Sequence, residues 1–351
     1  MADWANDLAE RIWYGRDAVA SATRLVLSPV ERVFGGIVGA RDILYDAGWL
    51  PAHETLIPAV SVGNLTVGGT GKTPVTAWIA RGLETRGAHP AIVLRGYGGD
   101  EPLVHQHLNP TIPVISNVDR VAGVADATRQ GADVAVLDDA FQHRRVQRLA
   151  DLVLISADRW TTDVRLLPAG PWREPLKAIR RATLVVVTRK AADERAVELV
   201  HEHLSRVAPA VPRVSVRFDL GELLDPTETR EARSLDAIAG EAVHAILSIA
   251  DPQAFVRQLE ARGARVRATI RPDHHAFSAT EIEHIASEMS ADEWVVCTLK
   301  DAVKLAPRWP RLAPPLWYVS QQVMVERGVG GIERVLDDLV RARSKTPSTA
   351  G

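Results

Sequence analysis

The sequence predicts an α/β protein built on a parallel β-sheet with helices on both faces. Short apolar runs alternate with stretches of helical spacing from residue 58 to about residue 208, and a second series of the same kind follows. Parallel strands must be joined by crossover connections, usually helices, so this alternation favours a parallel sheet. The first series of predicted strands is 58–62, 91–94, 112–115, 134–137, 152–155 and 184–187, and the second is 214–218, 245–249, 266–270, 294–298 and 316–319.

The domain organisation follows from the chain length and from a break between the two series. At 351 residues the chain is too long for one ordinary core, so two domains are expected. The segment 208–212 contains two prolines and separates the series, and we place the boundary near residue 210. The first domain is then 51–210, and a second, smaller α/β domain is 211–343. Residues 1–50 form an N-terminal amphipathic helical segment, and the polar stretch 344–351 is expected to be disordered.

The segment 63–74, GNLTVGGTGKTP, has the features of a phosphate-binding loop (P-loop). It lies between the predicted strand 58–62 and a segment of helical spacing. In this context, backbone N–H groups and the helix dipole hold a phosphate. Thr66 stands where the common pattern has glycine, and the glycines inside the loop can supply the backbone freedom. The segment therefore predicts a P-loop NTPase-like domain that binds a nucleoside triphosphate. The residues expected to contact the nucleotide are Gly68, Gly69, Thr70, Gly71, Lys72 and Thr73.

Two charged groups beside the loop are suited to phosphoryl transfer with Mg²⁺. Lys72 is expected to neutralise charge on the β- and γ-phosphates, and the Thr73 hydroxyl to ligate the ion. Asp138 and Asp139 follow the apolar run 134–137. A carboxylate at the end of a neighbouring strand holds Mg²⁺ directly or through water, so these two acids are candidate metal ligands.

Two loops carry further candidates. Asp100 and Glu101 follow the glycine-rich stretch 95–99, which places two carboxylates near the presumed phosphate site. Arg173 and Glu174 end a loop rich in proline. Arginine can stabilise charge on the transferring phosphoryl group, and the glutamate can join the Mg²⁺ shell. Composition alone would make the loop that carries Asp100 and Glu101 an ordinary surface turn.

The second half of the chain contains a possible general base. His274 lies in Asp273-His274-His275, after the predicted strand 266–270. A histidine next to an acid can accept a proton from a hydroxyl, although a lone surface histidine is the commoner case. Lys300 and Lys304 follow another strand and would face either the nucleotide or water.

Composition excludes several classes of protein. A content of 46% hydrophobic and 25% charged residues is typical of a soluble globular protein. A net charge of −2 argues against a nucleic-acid partner. The single cysteine, Cys297, excludes internal disulfides and cysteine-based zinc sites. No apolar stretch is long enough to span a bilayer, and acidic residues near the N-terminus argue against a secretory signal, so a cytoplasmic protein is expected.

The N-terminal segment carries an apolar stripe of helical period. Its members recur every three or four positions and are Val19, Ala22, Val26, Val30, Val33 and Ile37. We expect the helix to be interrupted at Pro29, which lacks a donor. Two interpretations remain open on the pattern: a helix packed on the core, or a helix that lies on a membrane surface and contacts acyl chains. The segment has no excess of basic residues to favour a membrane.

Taken together and in order, these segments resemble the tetraacyldisaccharide 4′-kinases, which are the lipid A 4′-kinases. The resemblance runs from about residue 58 to residue 304, and Thr66 belongs to the loop variant of that family. The matching stretches are 63–74, 95–99, 100–102, 138–143, 167–174, 273–275 and 300–304. The resemblance implies Mg²⁺- and ATP-dependent phosphorylation of the 4′-hydroxyl of a tetraacylated glucosamine disaccharide 1-phosphate.

The resemblance also implies roles for individual residues. Asp100 and His274 would take the proton from the sugar hydroxyl, and Arg173 would steady the phosphates. The residues placed around Mg²⁺ are Thr73, Glu101, Asp138, Asp139 and Glu174. The N-terminal helix would dock on the cytoplasmic face of a bacterial inner membrane as a peripheral contact and help to hold acyl chains. No obligate protein partner is evident.

Three positions depart from the family pattern. Asp100 directly follows the glycine-rich stretch, whereas many relatives have additional residues between them. Ala140 replaces a glycine, and Leu299 replaces a glutamate. None of these changes removes a group to which chemistry is assigned.

Two other classes of function are compatible with a P-loop. One is a kinase or ligase that acts on a small soluble metabolite, with the N-terminal helices as plain packing. The other is a nucleotide-switched regulator or assembly ATPase. A switch positions water and needs no base for a sugar hydroxyl, so the Asp100 and His274 pairing argues against it.

Overall fold

The computed structural model describes residues 2–96, 99–226, 231–290 and 292–343, with side chains from Leu8 onward. The chain divides into two compact units. The first contains the described residues up to 95, residues 109–216 and those from 325 on, and the second contains 96–108 and 217–324. The segment 96–108 thus belongs to the second unit, although the division at residue 210 placed it with the P-loop domain. The expected disordered tail lies outside the described residues.

The elements follow one another as alternating strands and helices over most of the chain. The helices are α1 Ala2–Tyr14, α2 Ala18–Asp46, α3 Lys72–Glu84, α4 Asp100–Leu108, α5 Arg120–Arg129, α6 Glu194–Val207, α7 Pro252–Glu260, α8 Ala279–Ser287, α9 Leu299–Leu305 and α10 Val329–Arg343. The strands are β1 Ala59–Asn64, β2 Pro90–Leu94, β3 Val114–Ser116, β4 Val134–Asp138, β5 Ala150–Ser156, β6 Leu184–Arg189, β7 Arg213–Leu224, β8 Ala232–Arg233, β9 Ala242–Leu247, β10 Arg265–Ile270, β11 Trp294–Thr298 and β12 Leu316–Arg327. Short 3₁₀-helices lie at Leu176–Arg181, Leu235–Ile238 and Ala306–Arg308.

In the first unit, the strand order β6-β5-β1-β4-β2-β3 forms a parallel sheet. Strands β1, β2 and β4 are buried along their whole length, which explains their near-continuous apolar sequences. Strand β1 lies between β4 and β5, so the chain leaves it in one direction along the sheet and later returns to its other side. In open α/β sheets, ligands bind at the carboxyl ends of the strands at such a switch point.

Among the strands with residues in the second unit, the order is β10-β9-β11-β12-β7. The pairs of β9 with β10, β9 with β11 and β11 with β12 are parallel, and the short β8 is antiparallel to β7. Val243, Ala245 and Leu247 of β9 are fully buried and pack with Leu259 of α7 and Val296 of β11. The α/β class with parallel sheets, predicted from the alternation of elements, is confirmed.

The N-terminal helices differ from the sequence-based expectation in one respect. Helix α2 is continuous over 29 residues and passes through Pro29, so the expected interruption is wrong. Proline removes one hydrogen bond, to the carbonyl of the residue four positions earlier. That residue is Leu25, which is 74% exposed, so water can satisfy the carbonyl.

The apolar stripe of α2 faces outward. Its large members are each more than half exposed, and Leu25 and Ile43 extend the same surface. They are Val19, Val26, Val30, Val33 and Ile37. Among the described residues of α2, only Ala20 and Val38 are buried. The interpretation in which this stripe packs on the protein core is therefore wrong. Within the described part of the chain, no helix is both long and apolar enough to cross a membrane.

We predict that Gly63→Ala destabilises the first unit, because a methyl group at this position of β1 would lie 2.6 Å from Cβ and 2.9 Å from N of Phe141. Overpacking of this kind costs about 1–3 kcal/mol, which urea unfolding followed by circular dichroism measures. Gly36→Ala is the matched control, because its methyl group meets no atom within 4 Å and lies in a helix. Equal unfolding midpoints for the two variants would contradict the close approach of Phe141 to β1.

Candidate active site

The P-loop connects the carboxyl end of β1 to the N-terminus of α3. Gly68 and Gly71 have φ angles of 110° and 87°, a region that favours glycine. Gly71 caps α3, so Lys72 and Thr73 occupy the first helical turn, where backbone N–H groups have no partner within the helix. The predicted sequence of strand, glycine-rich turn and helix is therefore present, with the donors of an anion site at its end.

The loop is held in place from several sides. The side chain of Asn64 donates a 2.9 Å hydrogen bond to the Thr70 hydroxyl, and Thr188 donates a 3.0 Å bond to the Thr70 carbonyl. Gln142 donates to the carbonyl of Asn64 at 2.8 Å. Sequence reasoning did not assign Asn64, Gln142 or Thr188. The buried Thr70 thus has its hydroxyl engaged within the protein, and a preformed loop loses less entropy when it binds an anion.

Two cations share one carboxylate beside the loop. Nη1 of Arg173 lies 3.1 and 3.0 Å from the two carboxylate oxygens of Asp139, and Nζ of Lys72 lies 3.8 Å from one of them. Asp139 has a φ of 48°, unusual for a residue other than glycine. Strained positions cluster at functional sites, and this one directs a carboxylate towards the cations predicted to bind phosphate.

The first unit carries oxygen groups of the kind that Mg²⁺ binds. Asp138, at the end of β4, is 4% exposed and accepts a 3.1 Å hydrogen bond from the Thr76 hydroxyl of α3. Thr73 is partly exposed in the first turn of the same helix. Carboxylate and hydroxyl oxygens at the carboxyl edge of a parallel sheet are ligands of the kind that Mg²⁺ prefers. Asp138, Asp139 and Thr73 therefore stay predicted ligands of Mg²⁺, and the same role for Glu101 also stays a prediction.

Glu174 has a different environment. It is fully buried, and its two carboxylate oxygens each lie 2.5 Å from an arginine, Arg41 of α2 and Arg181. Asp42 pairs with the same two arginines at 2.9 and 3.1 Å. A place for Glu174 in the Mg²⁺ shell stays a prediction, and it requires these ion pairs to open. In the described arrangement, Glu174 joins α2 to the loop that carries Arg173.

In the second unit, Asp100 and His274 form a hydrogen-bonded pair. Nδ1 of His274 lies 3.1 and 3.2 Å from the two carboxylate oxygens of Asp100, the first residue of α4. Nε2 of the same ring lies 3.1 Å from Nζ of Lys300. Glu101 follows Asp100 in the first turn of α4, and its N–H donates to the Asp100 carboxylate at 3.1 Å. The two groups to which the resemblance assigns removal of the sugar proton are thus in direct contact.

The environment shifts the pKa values of the pair in opposite directions. Burial by itself would raise the pKa of Asp100, but the hydrogen bond from His274 and the charge of Lys300 outweigh it and hold that pKa below its usual range. The hydrogen bond to Asp100 raises the pKa of His274, against the opposing effects of burial and of Lys300. Asp100 is therefore ionised throughout the neutral range, and the proton of the pair resides on His274.

A buried network supports the backbone of His274. Asp301 is fully buried and accepts hydrogen bonds from the backbone N–H of Ser248 at 2.9 Å, from its hydroxyl at 2.5 Å and from the Thr298 hydroxyl at 2.7 Å. The carbonyl of Ser248 in turn accepts from the N–H of His274 at 3.3 Å. His274 has a φ of 62°, so this support offsets an unfavourable backbone conformation. Lys304 also contacts Ser248 and Asp301.

We predict that His274 titrates above its ordinary value of 6.5 and that two substitutions move its pKa in opposite directions. Asp100→Asn removes the carboxylate that favours the imidazolium and should lower the pKa. Lys300→Met removes a nearby positive charge and should raise it. NMR titration of the His274 ring measures each shift, and His275 serves as an internal reference. A shift in the same direction for both variants would contradict the geometry of the pair.

The chain is similar to known proteins over most of its length. The family model for tetraacyldisaccharide-1-P 4′-kinases matches residues 23–99 and 98–341. Tetraacyldisaccharide 4′-kinases from Anaeromyxobacter dehalogenans strain 2CP-C and Xanthomonas campestris are 39% and 31% identical to the chain. The first match covers 85% of this chain and 86% of the relative, and the second covers 84% and 86%.

A crystal structure of LpxK from Aquifex aeolicus in complex with ATP is 27% identical to the chain. It superimposes with a TM-score of 0.69 and covers 92% of this chain and 99% of that one. The resemblance drawn from the sequence motifs is confirmed by these matches over nearly the whole length. The chain therefore belongs to the tetraacyldisaccharide-1-P 4′-kinase family.

Proposed function

We propose that this chain transfers the terminal phosphate of ATP, with Mg²⁺, to the 4′-hydroxyl of a tetraacylated glucosamine disaccharide 1-phosphate. Its family makes the chain a kinase of lipid A biosynthesis. The observation that carries the assignment of residues is the direct contact between Asp100 and His274. Transfer to an alcohol requires removal of a proton, whereas a nucleotide-dependent switch only positions water.

The P-loop residues bind the nucleotide in this proposal. Backbone N–H groups of the loop and of the first turn of α3 hold the phosphates, and Lys72 neutralises their charge. Arg173 binds the phosphoryl group in transfer, where it stabilises developing charge. Both cations are held by Asp139 in the described arrangement, so they are oriented before the nucleotide arrives. Mg²⁺, held by Thr73, Asp138 and Asp139, would neutralise further phosphate charge.

The proton of the sugar hydroxyl passes to the Asp100–His274 pair. Asp100 is ionised and can take the proton of the hydroxyl, while the Nδ1–H of His274 donates to the same carboxylate and orients it. General base catalysis of this kind contributes about 10²- to 10⁴-fold to a rate. Lys300 contributes a positive charge at Nε2 that opposes the imidazolium and so favours the neutral ring of His274.

We also propose that α2 contacts lipid, either acyl chains of the substrate or the cytoplasmic surface of the inner membrane. Its exposed apolar stripe runs along a helix of 29 residues, which is about 43 Å long. The opposite side of the helix is attached through polar groups, such as the hydrogen bond from the Leu166 N–H to Glu31 at 2.8 Å. An apolar surface of this length is typical of a helix that lies in a lipid interface.

The kinase assignment is tested with ATP labelled at the γ-phosphate and the 1-phosphorylated disaccharide lipid. We expect a bisphosphorylated lipid from the wild-type protein and loss of most activity in Lys72→Ala. His274→Ala should lower kcat by about 10²- to 10⁴-fold with little change in KM for ATP. His275→Ala is the control, because this neighbouring histidine pairs with Glu281 instead. A wild-type kcat in His274→Ala would eliminate the base assignment, and turnover of soluble sugars alone would favour a metabolite kinase.

The lipid contact is tested by co-sedimentation with vesicles of phosphatidylethanolamine and phosphatidylglycerol. Val26→Asp combined with Val30→Asp should weaken partitioning by at least about tenfold, because each change removes roughly 1–2 kcal/mol of apolar transfer. Leu199→Asp is the matched control, an exposed apolar residue on α6 of the same unit. Equal partitioning of the double variant and the control would exclude α2 as the lipid contact.

A further inference from the structure

Arg159 lies against the P-loop and has no role in the assignments above. It follows β5, the strand next to β1, and so emerges at the carboxyl edge of the sheet where the P-loop begins. A methyl group built on Gly68 would lie 2.7 Å from Nη1 of Arg159. The guanidinium group therefore lies close to the backbone of the loop at Gly68, whose φ of 110° favours glycine.

The backbone around Arg159 is rigidly placed. The carboxylate of Asp158 accepts three hydrogen bonds of 2.8 Å from the consecutive N–H groups of Lys190, Ala191 and Ala192. The N–H of Ala157 donates to the carbonyl of Thr188, whose hydroxyl binds the P-loop at Thr70. The end of β6 thus supports both the loop and the arginine, so their relative position is fixed by the same residues.

A carboxylate and an aromatic ring of α1 contact the guanidinium group. Its Nη1 and Nη2 lie 2.9 and 3.2 Å from the two oxygens of Glu10, and its Cζ lies 5.2 Å from the centre of the Tyr14 ring. The side chain of Arg159 is 16% exposed, whereas that of Glu10 is 45% exposed. A two-pronged contact with a carboxylate has the geometry with which arginine binds a phosphate.

We propose that Arg159 binds the phosphate chain of the nucleotide in the P-loop, and that Glu10 orients its guanidinium group until the nucleotide arrives. The inference rests on the proposed function, because it needs ATP in this loop. A triphosphate carries close to four negative charges, while Lys72 and Arg173 are both paired with Asp139. Arg159 adds a third cation, already in contact with the loop and fixed by its neighbours, so little entropy is lost when it binds.

The test is equilibrium binding of Mg·ATP and of Mg·ADP to the full chain. Arg159→Ala should weaken the binding of ATP by about 10- to 100-fold, as expected for loss of a charge-assisted contact. Arg159→Lys should give an intermediate loss of ATP affinity, because lysine keeps the charge but lacks the two parallel N–H donors of the guanidinium group. Arg165→Ala is the matched control, since this nearby arginine pairs with Asp163 and Glu31. A loss confined to ATP assigns the γ-phosphate, and a loss for both nucleotides assigns the β-phosphate; either supports the proposal.

Glu10→Gln distinguishes phosphate binding from a purely structural role. If Arg159 served only to attach α1, removal of the Glu10 charge would reproduce the loss seen in Arg159→Ala. Under the proposal, Glu10→Gln binds ATP at least as tightly as the wild type, because a competing carboxylate is gone. Equal losses in the two variants, or affinities of Arg159→Ala within twofold of wild type, overturn the inference. If Arg159→Ala does not fold, Arg159→Lys and Glu10→Gln decide it.

Lys72→Ala, measured in parallel, separates this inference from the proposed function. Loss of ATP binding in Lys72→Ala with wild-type binding in Arg159→Ala overturns the role of Arg159 and leaves the nucleotide site standing. Unchanged ATP binding in Lys72→Ala removes the P-loop as the nucleotide site, and with it the proposed function.

Discussion

The carboxylate of Asp139 is the group on which the arrangement of the first unit depends. It holds Lys72 of the P-loop and Arg173 of a distant loop, so it fixes two cations at one point. The next residue, Glu174, is fully buried between Arg41 and Arg181. Removing one partner of such a buried ion pair costs about 3–5 kcal/mol, so the position of Arg173 is strongly determined. Ion pairs thereby connect α2 to the phosphate-binding loop: Arg41 contacts Glu174, and the adjacent Arg173 shares Asp139 with Lys72.

This connection explains how α2 can keep its apolar surface outward. An ordinary amphipathic helix is attached to a protein by its apolar side, and its polar side faces water. Helix α2 is attached by charged and polar groups, including Arg41, Glu31 and Arg144 with Asp46. The apolar stripe then remains available for lipid, as the proposed function requires. Arg41 forms an ion pair with Glu174, the residue after Arg173. A displacement of α2 by lipid would therefore shift the backbone that positions Arg173.

The sequence predicted those parts of the site that are local in the chain. The P-loop, Lys72 and the Asp138–Asp139 pair each follow from a strand and the residues directly after it. It could not predict from pattern alone that Asp100 meets His274, because 174 positions separate them and only the tertiary fold brings them together. The helical period of α2 predicted an apolar face but not its direction, since direction depends on partners such as Glu174, 133 positions away from Arg41. Arg159 belongs to none of the sequence motifs, and its proximity to Gly68 in the folded chain is what suggests a role in the P-loop.

The composition of the His274 site has a physical reason. A histidine paired with a carboxylate alone would hold its proton firmly and be a poor acceptor for another. Lys300 lies against the opposite ring nitrogen, and its charge opposes the imidazolium.

In the neutral ring, the ammonium group of Lys300 donates to Nε2, so the remaining hydrogen must be on Nδ1 and point at Asp100. The lysine thereby selects the tautomer whose Nδ1–H donates to the ionised carboxylate of Asp100. Asp273, 3.5 Å from Lys300, keeps that lysine in place. The three groups thus act as one unit, because the proton affinities of Asp100 and His274 depend on each other and on the charge of Lys300.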